Sequence, residues 1–206
     1  MNAQRQLVLA SNNPGKLREF AGLFTAYDIE VVPQSAFNVP EAAEPHVTFI
    51  ENALAKARHA AQLTGLPALA DDSGLCVQAL GGMPGVQSAL YDQLFSGLPK
   101  DDLRNNARLL ENLAKEADRR AHYVCVLVLV RTAKDPQPVI AEGEWHGEIL
   151  SAPRGDGGFG YDPLFYVAQL GQSAAEIPAQ MKNVLSHRAI AFGKLAARLQ
   201  EGDLFR

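Results

Sequence analysis

The sequence is short of the features that mark several large classes of protein. It has only two cysteines, Cys76 and Cys125, both inside apolar runs ("GLCVQAL", "YVCVLVLV"). Two thiols make no disulfide framework, so they read as small buried residues of a chain kept in a reducing, cytoplasmic setting. Cations are not in excess. The net charge is -4, which argues against a nucleic-acid partner, since duplex DNA asks for a basic footprint. The most apolar run, "VCVLVLV", is far too short to span a bilayer, and the four apolar residues just before Ser11 are too few for a secretory leader. Neither a membrane nor a long polyanion is therefore expected as a partner. Internal repeats, linkers, low-complexity tracts and the G-x-x-x-x-G-K-[ST] phosphate loop are all missing. The 206 residues suffice for one sizeable domain, or two lobes sharing one sheet.

What is present begins with "LVLA" (Leu7 to Ala10), a buried-looking strand that runs into "SNNPGK". Asn13 suits a helix N-cap and Pro14 the first helical position, and Leu17, Phe20, Ala21 and Phe24 follow at helical spacing. "IEVVP" (Ile29 to Pro33) reads as a strand. Thr48 and Glu51 form a capping box opening a helix that Gly65 stops. "PALA" reads as a buried strand cut off by "DDSG", and a polar helix is expected from about Asp102 to Lys115. "AHYVCVLVLVR" is nearly continuous in apolar residues, hence a central strand. "PVIAEGEWHGEIL" is expected to be a hairpin turning near Gly143 to Gly147. "APRGDGGFGYDP" reads as a glycine-rich loop, "LFYV" as a strand, and "SHRAIAFGKLAARLQ" as a closing helix capped by Ser186. Alternating helices and strands early, with strands clustered late, indicate an α/β fold with a mixed central sheet and flanking helices.

Four stretches carry chemistry. Lys16 falls in a helix's first turn, where the dipole favours anions, so it makes sense if an anion joins it; the plainer reading of "SNNPGK" is a strand-to-helix turn. Asp71 and Asp72 could hold a hard divalent ion and deprotonate a water, or serve as an Asx-turn. The glycines around Phe159 and Tyr161 could let a flat ring stack on the loop, or the aromatics could fold into the core. His187 and Arg188 repeat the Lys16 anomaly in the last helix, with Lys182 five residues earlier, or all three are solvated surface charges. Together, cations for an anionic chain, an acid pair for a metal and a base, and a ring-sized loop describe a nucleoside triphosphate site.

"SNNPGKLREF", "TFIENALAKA", "ADDSGL", "GGFGYDPLF" and "SHR" occur in that order over residues 11 to 188. This set resembles the motifs of the non-canonical purine nucleoside triphosphate pyrophosphatases, the inosine/xanthosine triphosphatase family. The resemblance implies a homodimer of single catalytic domains (residues 1–206), each with two lobes around a substrate cleft. It implies Mg²⁺-dependent cleavage between the α- and β-phosphates of dITP, ITP and XTP. Carried over by motif, Ser11, Asn12, Asn13, Pro14, Gly15 and Lys16 would hold the triphosphate. Asp72 would be catalytic and bind the metal, and Ser73 would contact substrate. Phe159, Gly160, Tyr161 and Asp162 would form the base pocket, with Lys182, His187 and Arg188 completing the nucleotide contacts. The chain departs from the pattern twice: Leu90 in "SALY" stands where the family usually has arginine, and "EAAEPH" stands where it often has Glu-Glu-Thr-Gly. Glu41 and Glu44 are therefore both candidates for a second metal ligand. The alternative is a non-catalytic nucleotide-binding regulatory protein.

Overall fold

The computed structural model describes residues 5–13, 16, 17, 20, 21, 24 and 29–201. Among these residues seven strands form one mixed sheet: β1 (Arg5–Leu9), β2 (Ile29–Pro33), β3 (Ala68–Val77), β4 (Arg120–Val130), β5 (Val139–Ile149), β6 (Phe165–Val167) and β7 (Gln172–Ser173), in the order β2-β1-β3-β4-β5-β6-β7. β1 runs parallel to β2 (Leu7 beside Val31) and to β3 (Val8 beside Ala68), whereas β6 is antiparallel to β5 and β7. The longest described helices are Phe49–Thr64, Asp102–Asn112 and His187–Glu201. This is the α/β architecture that the strand and helix patterns imply, and β4 occupies the middle of the sheet, its residues 123–130 all buried.

Local chemistry accounts for the helix bounds. Thr48 Oγ1 accepts from the Glu51 N–H at 3.3 Å, the N-cap half of the expected capping box, while the Glu51 carboxylate accepts from the Thr48 hydroxyl at 2.5 Å rather than from its backbone N–H; this starts the Phe49–Thr64 helix. Gly65, at φ 71°, ends it in the left-handed conformation, its N–H donating to Ala61 C=O. Ser186 opens the last helix, accepting from Ala189 N–H at 3.4 Å. Lys16, Leu17, Phe20, Ala21 and Phe24 are helical and both phenylalanines are fully buried. Pro14 and Gly15 lie outside the described residues.

Two sequence expectations are corrected. "DDSG" does not end a strand: β3 runs straight through Asp71, Asp72, Ser73 and Gly74 to Val77. Buried acids can stay in a strand here because each meets an ammonium, as set out below. Nor is "PVIAEGEWHGEIL" a hairpin; β5 is one strand of 11 residues. Its glycines serve close packing rather than turning. A Cβ on Gly143 would lie 2.1 Å from His187 C=O, and one on Gly147 would lie 2.4 Å from Tyr166 C=O.

The chain divides into two compact units. The first comprises residues 1–72, 126–141 and 194–206, the second residues 73–125 and 142–193. The first buries Leu7, Val8 and Leu9 of β1 with Ala53, Ala57 and Ala60 of the Phe49–Thr64 helix. The second has a core of Leu75, Tyr91, Leu109, Tyr123, Trp145 and Phe165. There the Tyr123 and Trp145 rings lie 4.6 and 5.4 Å from that of Phe165. Among the described residues no helix is long and apolar enough to cross a membrane.

Candidate active site

In the first unit, β1 ends at a cavity of about 160 Å³. Ser11, Asn12, Asn13 and Lys16 line it together with Glu41 and Glu44, and Gln34, Lys56 and Asp71 add further polar surface. The turn is built locally. Asn13 Oδ1 accepts from Lys16 N–H at 3.3 Å, the N-cap contact expected of Asn13, and Ser11 Oγ accepts from Asn13 N–H at 3.2 Å. The anion that joins Lys16 in the free protein is Asp71, whose two oxygens lie 2.8 and 2.9 Å from Nζ.

Strand alternation sends Asp71 and Asp72 to opposite faces of β3, and each finds its own lysine. Asp72 Oδ1 accepts from Lys56 Nζ at 3.0 Å, and the same ammonium reaches Glu44 Oε2 at 3.0 Å. Asp72 Oδ2 is buried with no hydrogen-bond partner among the described residues. Burial raises the Asp72 pKa from 3.8 to about 6. Lys56 offsets part of that, Glu44 adds to it, and Asn52 opposes it weakly. Burial alone would lower the Lys56 pKa, but the charges of Asp72, Glu44 and Asp71 outweigh it and hold Lys56 above its ordinary value. Lys56 thus stays charged near neutrality while Asp72 is the member that titrates.

Glu44 is tied to Asp72 through Lys56. Glu41 lines the same cavity, with Asn12 Nδ2 3.5 Å from its Oε1. Among the described residues no three His, Cys, Asp or Glu side chains converge as a cage for a metal. What is on offer is one orphaned carboxylate oxygen and two glutamates nearby. Hard oxygen donors in that number fit Mg²⁺, which commonly takes one or two carboxylates and completes its shell with water and substrate phosphates.

In the second unit, the loop after β5 brings Phe159, Gly160, Asp162 and Lys182 together. Asp162 is the hub: Oδ2 accepts from Phe159 N–H at 3.1 Å and from Lys182 Nζ at 2.5 Å, and Oδ1 accepts from Tyr123 O–H at 3.3 Å. Burial and the Asp162 charge push the Tyr123 hydroxyl well above its ordinary pKa, so it stays a donor. Gly158, at φ 74°, permits the hub, since a Cβ there would lie 2.0 Å from Asp162 Oδ2. Phe159 is 69% exposed, whereas the Tyr161 ring belongs to the core and its hydroxyl donates to Ser88 C=O at 2.8 Å. The His187 ring stacks on Tyr123 at 4.8 Å and 15°. Ser73 and Arg188 are half-buried.

Several residues around the site carry no sequence assignment above. Lys56 had a signal: buried Ala53, Ala57, Ala60 and Ala61 trace a helical stripe, and Lys56 stands on it at i+3 from Ala53. A cation on an apolar stripe wants an acid. Tyr123, Asp102 and Asn106 act through contacts with residues far away in the chain, for which local pattern has no mark.

The model of the Ham1 family matches residues 7–198. A dITP/XTP pyrophosphatase of Ralstonia nicotianae is 63% identical over 196 residues, covering 95% of this chain and 97% of that one. A protein of the same name from Aromatoleum aromaticum is 64% identical over 199 residues, covering 97% and 98%. Among solved structures, a HAM1 protein from Coxiella burnetii superposes with a TM-score of 0.90 at 45% identity, over 96% of this chain and all of its own. With a fold and nearly the whole length in common, the chain belongs to the Ham1 family.

Proposed function

We propose that this chain hydrolyses non-canonical purine nucleoside triphosphates, namely dITP, ITP and XTP, to the nucleoside monophosphate and pyrophosphate. The observation that carries the reading is Asp72: a buried carboxylate with one oxygen unpaired among the described residues and a pKa raised to about 6, paired with Lys56, which lines a polar cavity together with Lys16. The names of the relatives from Ralstonia and Aromatoleum support the substrate class.

Triphosphate oxygens are taken by Ser11 to Lys16 and by Lys56, with Lys16 exchanging some of its contact with Asp71 for phosphate. Asp72 Oδ2 accepts a proton from water, whose oxygen bonds to the α-phosphorus. The α–β bridging bond breaks, and its electron pair leaves with pyrophosphate. In the metal-free protein burial raises the Asp72 pKa to about 6, which leaves the carboxylate largely ionised at neutral pH yet more basic than an exposed one. Mg²⁺, held by Asp72 and Glu44 or Glu41, supplies neutralisation of polyphosphate charge. The base is assigned to the Phe159 loop, with Phe159 stacking and Ser73, Gly160, Asp162, Lys182, His187 and Arg188 completing the nucleotide contacts, while Tyr161, buried in the core, supports the loop from beneath. Hypoxanthine and xanthine carry a 6-oxo acceptor where adenine has an amino donor, so donors at that edge, such as Arg188, leave adenine unmatched.

The working form is proposed to be a cytoplasmic homodimer of single catalytic domains, each with two lobes around a substrate cleft, acting on free nucleotides rather than on nucleic acid. A panel of nucleoside triphosphates incubated with protein and Mg²⁺ tests the assignment. Pyrophosphate should be released from dITP, ITP and XTP in preference to dATP and dGTP. Orthophosphate release would reject the α–β assignment, and binding without turnover would make the chain a regulatory nucleotide binder instead.

A further inference from the structure

Phe159 is an exposed ring on a backbone held at every polar point. Its N–H donates to Asp162 Oδ2 at 3.1 Å, and its C=O accepts from Asp162 N–H at 3.2 Å. At the next residue, Gly160 N–H donates to Asp102 Oδ2 at 3.0 Å, and Gly160 C=O accepts from Asn106 Nδ2 at 2.9 Å. Asp102 and Asn106 are one turn apart on the Asp102–Asn112 helix, so a single helical face grips both sides of a glycine set at φ 60°. Exposed loops usually leave such groups to water and stay mobile. This one is pinned while its largest apolar side chain remains in solvent.

The grip carries a penalty at Asn106. Its Oδ1 is buried with no hydrogen-bond partner among the described residues, an arrangement that destabilises a fold. Leucine, of similar size, would avoid it. A residue selected for stability alone would not leave a buried amide oxygen unpaired.

We infer that Asp102 and Asn106 are positioning residues for substrate: by clamping the Gly160 peptide they fix the Phe159 ring as a preformed stacking face and set affinity for the purine without touching it. Fixing the ring beforehand removes an ordering loss that binding would otherwise carry. The inference rests on the reading that the Phe159 loop takes the base.

The test uses full-length Asn106→Leu, Asp102→Ala and the double variant. Asp101, not Asp102, caps the helix by accepting from Arg104 N–H at 2.8 Å, so Asp102→Ala spares the cap. The readouts are KM and kcat for dITP, thermal unfolding, and calorimetric titration without metal of inosine 5′-monophosphate and of inorganic tripolyphosphate, which has no base. Each single variant should raise KM for dITP and Kd for the monophosphate by roughly fivefold, with kcat changed by less than about twofold and tripolyphosphate affinity retained. Asn106→Leu should melt no lower than wild type, and Asp102→Asn, which keeps an acceptor oxygen, should restore most of the affinity. An unchanged monophosphate Kd in the double variant, or an equal loss for tripolyphosphate, overturns the clamp. Wild type that releases no pyrophosphate from dITP, with variants that still lose monophosphate affinity, overturns the functional reading and leaves the clamp standing.

Discussion

Asp72→Asn should make the protein more stable and nearly inactive, and the structure allows both effects to be sized. The rise of the Asp72 pKa from 3.8 to about 6 means that the ionised carboxylate destabilises the native state by about 3 kcal/mol at neutral pH. Asparagine resembles the protonated acid and removes that penalty. It does not remove all of it, because the amide NH₂ comes to rest where Oδ2 is now unpartnered, an unmet donor worth about 1–2 kcal/mol. A net gain of about 1–2 kcal/mol remains, or a Tm higher by roughly 2–8 °C for a chain of this size. The sign also has a pH signature. A carboxyl whose folded pKa is raised binds more protons folded than unfolded, so wild-type stability falls as pH climbs from about 4 to about 6 and is then level as far as this group is concerned. The variant should lack that fall. The assay is urea unfolding of both proteins from pH 4 to 8 in chelator-treated buffer, alongside pyrophosphate release from dITP with Mg²⁺, expected to drop by at least 10²–10⁴-fold. An asparagine variant less stable than wild type at pH 7, with the same slope between pH 4 and 6, would refute the assignment of burial as the cause. Wild-type turnover in it would take Asp72 out of the chemistry.

Lys56→Met removes the ammonium shared by Asp72 and Glu44. The Asp72 pKa should rise further, destabilising the protein at pH 7 by about 2–4 kcal/mol in chemical denaturation and moving the acid limb of kcat/KM to higher pH. Phe159→Ala should leave stability within about 0.5 kcal/mol, since the ring is already mostly in solvent. In steady-state kinetics it should raise KM for dITP by about tenfold or more through lost stacking. Gly143→Ala drives a methyl to 2.1 Å from His187 C=O. A loss of at least about 1–3 kcal/mol in thermal unfolding is expected, together with weaker nucleotide binding as the start of the last helix shifts.

How far the fold could be read ahead depended on whether the deciding contacts were local. β2 and the Phe49–Thr64 helix were legible to within a residue, because the β-branched run of the one and the Thr48 cap and left-handed glycine of the other are complete within a few positions. Asp71, Asp72, Gly143 and Gly147 misled for one shared reason. Acids and glycines interrupt strands unless another segment cancels their drawback, and here the cancelling groups are distant: Lys16 lies 55 residues from Asp71, and His187 packs on Gly143. The site shows the same division. The turn after β1 could be read because Asn13 caps its own helix. The grip on Gly160 could not, because its partners stand 54 and 58 residues away. The failures are themselves informative. A stretch ending in Asp-Asp should have stopped a buried strand, and where the strand continues, something has been arranged to hold two carboxylates out of water. Lys56 on the alanine stripe and Lys16 at a helix start are that arrangement, each unfavourable where it stands when taken alone. Three separately awkward features that relieve one another, and still leave one acid oxygen unpaired among the described residues, are hard to explain as scaffold alone and are what the proposed polyphosphate site accounts for.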